Sequence, residues 1–181
     1  MKSVMSHSFS NIPSANIQRS SFDRSHGHKT TFDVGQLVPI FVDEALPGDT
    51  FNMNASLFGR LATPIFPIMD NMYLDVQFFA VPMRQLWFNF RKFMGEQEDP
   101  GDSTDYVIPQ MRMTAGGNVG TIEDYMGIPM NFPITYNALP IRAYYHIYNE
   151  WYRDQNLQDS IEWSAGDSLV STPNGNPLLR S

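Results

Sequence analysis

The chain contains no cysteine, which removes disulfides, thiolate zinc sites and cysteine nucleophiles together and fits a reducing compartment. It also lacks a long apolar run. Its most apolar patch, LATPIFPIM from Leu61 to Met69, is broken by Pro64 and Pro67 and falls far short of the roughly 20 residues a membrane helix needs. The opening MKSVM runs into Ser, His and Asn rather than an apolar segment, so no secretory signal is expected and the chain reads as soluble. Without a secretory route, Asn54-Ala55-Ser56 has no meaning as a glycosylation acceptor. Basic side chains are scarce: 12 Lys and Arg stand against 19 Asp and Glu, a net charge of −7. So acidic a body argues against wrapping duplex DNA over a broad surface, because phosphate affinity comes from neutralising cations. The deficit is uneven. Residues 1–29 hold Lys2, Arg19, Arg24 and Lys29 against Asp23 alone, a surplus of three, which leaves −10 on the remainder.

What is present is apolar and aromatic. Of 181 residues 42% are hydrophobic, with 13 Phe, 8 Tyr and 3 Trp, enough for a substantial core in one domain. Residues 1–29, rich in Ser, Asn and His, read as an extended basic N-terminal arm, ordered only where something docks on it. Structure is expected from residue 30 to residue 181. The stretch FVDEALPGDTFNM, residues 41–53, turns a corner at Leu46-Pro47-Gly48-Asp49. Pro47 presets φ for the second turn position, and Gly48 accepts the positive φ that a type II turn needs next. Before the corner, Leu37 to Val42 form a β-rich run interrupted by Pro39, which suggests an edge strand. After it, Phe51, Met53, Ala55 and Leu57 alternate with Asn52, Asn54 and Ser56, the period of a strand with one buried face. Leu74, Val76, Phe78 and Ala80 suggest a third strand.

Pro82 and Gly95 bracket a helix expected over about 83–94, with Leu86, Phe90, Phe93 and Met94 on one face. The acidic stretch from Glu96 to Tyr106 reads as a surface loop. Thr121-Ile122-Glu123-Asp124 resembles a capped one-turn helix stopped by Gly127. After a connector punctuated by Pro129, Pro133 and Pro140, a stripe of Ile141, Tyr144, Tyr145, Tyr148, Trp151 and Tyr152 at helical spacing predicts a helix over about 141–156.

No pattern for bond chemistry emerges. His26-Gly27-His28 lies in the arm without a third metal ligand at a recognisable spacing. Asp99, Asp102 and Asp105 do not follow the alternation of a calcium loop. AGGNVGT, residues 115–121, lacks the Lys-Ser/Thr ending of a P-loop and reads as a flexible turn. Adjacent carboxylates such as Asp43-Glu44 point to opposite strand faces, and no nucleophile elbow is present. No enzyme activity, metal or cofactor is therefore expected. The aromatic stripe can stack bases, but only Arg142 and Arg153 flank it, with Glu150 and Asp154 beside them, so packing against a sheet or a neighbouring subunit is the stronger reading.

The run SSFDRSHGHKTTFDVGQLVPIFVDEALPGDTFNMNASLFGRLATPIFPIMDNMYLDVQFFAVPMRQLWFNFRKFMGEQ, residues 20–97, resembles the major capsid protein of the Microviridae, specifically its gokushovirus branch. So does ALPIRAYYHIYNEWYRDQNLQDSI, residues 138–161. FDRSH, DEALPGDTF, LATPIFPIMDNM and NEWYRDQNLQ carry the likeness.

The resemblance implies a mainly β fold with helical insertions, a viral jelly roll in which two antiparallel sheets form a sandwich. It also implies a small icosahedral shell around circular single-stranded DNA, in a virion made in the bacterial host's cytoplasm. Family members run longer than this chain, so the sequence is expected to be an N-terminal portion with the jelly roll incomplete. The implied partners are other copies of the chain, other virion proteins and the single-stranded DNA genome, with no membrane. Trp87, Phe88 and Trp151 are candidate contacts between subunits. Arg19, Arg24 and Lys29 are candidates for genome phosphate. Two rival readings are a non-assembling remnant that acts as a β-rich nucleic-acid or protein binding module, and a hydrolase with a cryptic site. Downstream coding sequence argues against the first; activity lost on replacing an acidic residue or His would favour the second.

Overall fold

The computed structural model describes residues 16–180; the first part of the expected arm lies outside the described residues. Regular structure gathers in the second half of the chain. Two one-turn helices, α1 (Met83–Leu86) and α2 (Phe90–Phe93), precede strand β1 (Gln110–Met113), helix α3 (Ile122–Tyr125), strand β2 (Ile134–Asn137), helix α4 (Leu139–Ile147), a π-helical turn (Tyr148–Tyr152) and strand β3 (Val170–Thr172). The strands form one mixed sheet in the order β2-β1-β3. Strand β1 runs antiparallel to β2, with Gln110 opposite Asn137 and Met113 opposite Ile134. It runs parallel to β3, with Met111 opposite Val170 and Met113 opposite Thr172. The alternation along β1 turns Met111 and Met113 inward and Gln110 and Arg112 outward.

Helix α4 covers this sheet. Pro140 stands in its first turn, where a missing N–H costs nothing. The Leu139 N–H is taken up by Asn137 Oδ1 at 2.9 Å. Ile141, Tyr144 and Tyr145 then fall on one buried face and close over Met111, Ile122 and Ala138. A second cluster of Leu86, Trp87 and Leu139 extends the core toward α1, and Trp163 packs against both.

Polar ties reach across long sequence separations. The Tyr144 hydroxyl donates to the Leu37 carbonyl at 2.8 Å and accepts the Leu179 N–H at 3.0 Å. The Leu37 N–H donates to the Leu179 carbonyl at 3.0 Å. One phenol thus fixes both ends of the described chain onto α4. Arg142, 3% exposed, donates to the Leu86 carbonyl at 3.1 Å and to the Gly166 carbonyl at 2.8 Å.

Three expected strands are corrected. Residues 37–42, 51–57 and 74–80 form no strand and have no ladder partners among the described residues; the isolated bridge nearby joins Gln36 to Arg180. Phe51, Met53 and Leu57, expected on a buried face, are each about half exposed. Period-two patterning reports which face a strand would bury once paired; it is silent on whether the partner is present.

The expected helix over 83–94 is also broken, because Trp87 adopts extended backbone angles of φ −148° and ψ 118°. The break turns the indole into the core, where its N–H donates to Asp167 Oδ1. Phe88 N–H then donates to the Ala165 carbonyl at 3.1 Å. Nonlocal burial of a large aromatic overrides the helical spacing. The helix expected over 141–156 starts at Leu139, widens into the π-helical turn and ends at Tyr152.

Loss of the Tyr144 hydroxyl leaves a partly buried carbonyl and a partly buried N–H without that partner. Tyr144→Phe is therefore expected to lower unfolding free energy by about 1–3 kcal/mol, read as a lower urea midpoint at unchanged slope. An unchanged midpoint would contradict the tie. Burial also pushes the Tyr144 phenol up to about 12, and raises Tyr145 and Tyr136 above the ordinary tyrosine value. The unfolded chain then releases these protons near pH 10 while the folded chain keeps them, so the folded state binds more protons above that pH. Stability should be flat through neutral pH and fall from about pH 10 upward. Tyr144→Phe should make that alkaline fall shallower, and denaturant titration at successive pH values measures it.

Candidate assembly surface

The corner at residues 46–49 is built as its sequence requires. Asp49 N–H donates to the Leu46 carbonyl at 3.0 Å, Asp49 Oδ2 accepts the Leu46 N–H at 3.0 Å, and Gly48 takes φ +88°. The basic arm lies across it. Arg19 Nη1 donates to the Gly48 carbonyl at 2.7 Å, and Arg24 pairs with Asp43 at 2.9 Å. The Asp43 side chain is largely covered while that of Arg24 is mostly open. His26 stacks on Phe41 with centroids 5.5 Å apart.

Two of the three candidate phosphate contacts, Arg19 and Arg24, are thus turned onto the chain's own corner. Lys29 instead lines a small cleft of about 230 Å³ with His28, Asp124 and Tyr125. The structure does not bring the three cations into one patch.

The candidate interface aromatics divide. Trp87 is corrected from a surface contact to core: it is fully enclosed, against Leu86 and Leu139. Phe88 is 77% exposed and Trp151 71% exposed. The stripe on α4 divides likewise, since Tyr144, Tyr145 and Tyr148 are buried and cannot stack bases, while Trp151 stands on the surface. Trp151 meets Phe79 at 5.7 Å between centroids, and Phe79 meets Tyr152 at 6.1 Å. Phe79 and Trp151 border a cleft of about 500 Å³ whose walls include Val81, Gln85, His146 and Glu150.

A larger apolar surface lies on residues 51–74. Phe58 is 92% exposed, Ile65 94% and Met69 93%. Large apolar side chains left open in such number within one segment mark a candidate interaction surface.

One buried polar group was not legible in the sequence. Glu123, fully enclosed on α3, accepts the Asn176 N–H at 2.8 Å, the Asn176 Nδ2 at 2.5 Å and the Tyr136 hydroxyl at 2.7 Å. Gly175 passes so close that an added Cβ would lie 2.9 Å from Glu123 Oε2. The carboxylate has its donors and no room for a substrate, so it joins α3 to the 174–177 segment and to β2. Its partner Asn176 lies 53 residues away, beyond any local pattern.

The glycine-rich segment 115–121, expected as a turn rather than a phosphate cradle, is tied to its own chain. Ala115 N–H donates to the Pro173 carbonyl, Asn118 N–H to the Asn174 carbonyl and Gly120 N–H to Asp124 Oδ2. These donors face their own chain rather than an open phosphate cradle. Among the described residues no three His, Asp or Glu side chains gather as a metal site, and no helix is long and apolar enough to cross a membrane.

Comparison with known proteins matches this geometry to a family. The profile of the capsid protein (F protein) family matches residues 10–179. Capsid protein VP1 of Bdellovibrio phage phiMH2K is 53% identical over 163 residues, covering 89% of this chain and 31% of the relative. Capsid protein VP1 of Chlamydia phage 1 is 47% identical over 176 residues, covering 93% of this chain and 30% of the relative. Capsid protein VP1 of Spiroplasma virus 4 is 34% identical over 172 residues, with 93% and 31% covered. The chain thus spans about a third of the length of the curated relatives it matches. With the family profile running through nearly every described element, the chain belongs to the phage capsid protein (F protein) family.

Proposed function

We propose that this chain is the N-terminal portion of a structural capsid subunit that assembles with copies of itself into a small icosahedral shell around circular single-stranded DNA. The observation that carries the reading is the exposed apolar surface of residues 51–74, together with Phe88 and Trp151, on a chain of this family. In a closed shell, identical subunits meet through a few symmetry-related contacts, so modest interfaces multiply into a stable container. No bond is made or broken, and the side chains serve by shape and burial alone.

In this reading residues 30–181 are the first part of a jelly-roll domain. The extended, unpaired segments 37–42, 51–57 and 74–80 are strands of that sandwich awaiting their neighbours in the ladder. Residues 1–29 are an arm on the inner side of the shell. Lys29 is its best-placed phosphate contact, since Arg19 and Arg24 clamp the corner. Other virion proteins complete the particle in the bacterial cytoplasm.

A version extended to the relatives' full length should form closed particles visible by electron microscopy. Phe88→Asp or Trp151→Asp in that version should cut particle yield at least about tenfold, because a charge in a desolvated contact is strongly unfavourable. The melting temperature of the 181-residue chain should hardly change, as both side chains are exposed. An extended protein that stays monodisperse would overturn the reading and favour a non-assembling binding module.

A further inference from the structure

The cleft beside the π-helical turn brings aromatic rings and a carboxylate to one open cavity. Its origin is local. The helix widens after Ile147, and the Arg153 N–H reaches back five residues to the Tyr148 carbonyl at 2.9 Å. The extra residue in the turn carries Trp151 outward while Tyr148 stays buried. Phe79 meets the faces of Trp151 and Tyr152, and the Tyr152 hydroxyl is fixed by donating to Gln77 Oε1 at 2.8 Å.

The electrostatics of this corner are one-sided. Glu150 lines the cleft and is exposed. None of the ion pairs among the described residues engages it. The Asp75 charge lies close enough to help hold the Tyr152 phenol above its ordinary value, after burial itself. His146, which also lines the cleft one helical turn before Glu150, is turned edge-on to Trp163 at 6.1 Å. The Glu150 carboxylate and the aromatic rings of Phe79 and Trp151 in one cleft favour a cation that is weakly hydrated and flat enough to stack, which describes a guanidinium better than an ammonium.

The complementary group is on the same chain. Arg60, Arg84, Arg112 and Arg180 are exposed, and none of them pairs with a carboxylate among the described residues. Copies of a chain with net charge −7 repel one another overall, so a contact between copies gains most where a cation meets a local acidic site. We infer that the cleft receives an arginine side chain from a second copy of this chain, its guanidinium laid on Trp151 and paired with Glu150. The inference rests on the assembly reading above and specifies one contact of it.

The test has two arms. In the first, the 181-residue chain is titrated with N-acetyl-arginine-methylamide while the indole N–H signal of Trp151 is followed by NMR, with Trp87 and Trp163 as internal references. The Trp151 signal should shift with millimolar affinity, the neutral citrulline analogue should bind about tenfold more weakly, and Glu150→Gln should abolish that preference. Equal response to both probes, or none, overturns the cation site.

In the second arm, the extended version is assembled with and without Glu150→Gln. Particle yield should fall at least about fivefold in the variant, and excess arginine probe should inhibit the wild type. Particles formed equally well by both, with cation binding intact, overturn the second copy as occupant while leaving the capsid reading standing. No particles from the wild type overturn the capsid reading, and with it the second copy as occupant, whatever the probe shows.

Discussion

Helix α4 gathers ties from widely separated parts of this chain. The Tyr144 phenol joins Leu37 to Leu179, Arg142 holds the Leu86 and Gly166 carbonyls, and Ile141 and Tyr145 close over the sheet. If that face were lost, three strands of three or four residues each would have too little buried area to persist alone. The aromatic stripe thus organises the body, and its C-terminal end, rotated outward by the π-helical turn, becomes surface.

The first half of the chain obeys a different constraint. From Phe41 to Ala80 the backbone forms no helix or strand, turns at residues 46–49 and carries many exposed apolar side chains. A chain that buries its aromatics so thoroughly at α4 does not leave Phe58, Ile65 and Met69 outside for want of packing ability. Phe58, Ile65 and Met69 stand open among the described residues, and the assembly reading proposed above would cover them with other protein. The arm follows the same economy, with Arg19 and Arg24 holding the corner at Gly48 and Asp43. Membership of the capsid protein (F protein) family is the context of both halves, a helix-anchored body and an open apolar segment.

Sequence patterning revealed these features unevenly, for physical reasons. The turn at Leu46-Pro47-Gly48-Asp49 and the helix carrying Tyr144 to Trp151 were legible because each depends on neighbours within a few residues. The alternation of Phe51, Met53 and Leu57 encoded a face to be buried but not its partner, so it suggested strands the described chain does not pair. The break at Trp87 depends on Asp167, 80 residues on. The Glu123 network depends on Asn176, and the true strands are too short to stand out from their surroundings.

The most direct measurement is amide hydrogen exchange across residues 41–80, in the isolated chain and in assembled particles of the extended protein. In the isolated chain these amides should exchange within about tenfold of unstructured rates while those of α4 are protected, and assembly should slow residues 41–80 by at least about a hundredfold. Equal, fast exchange of residues 41–80 in both states would contradict the claim that this surface is built to be covered by other protein.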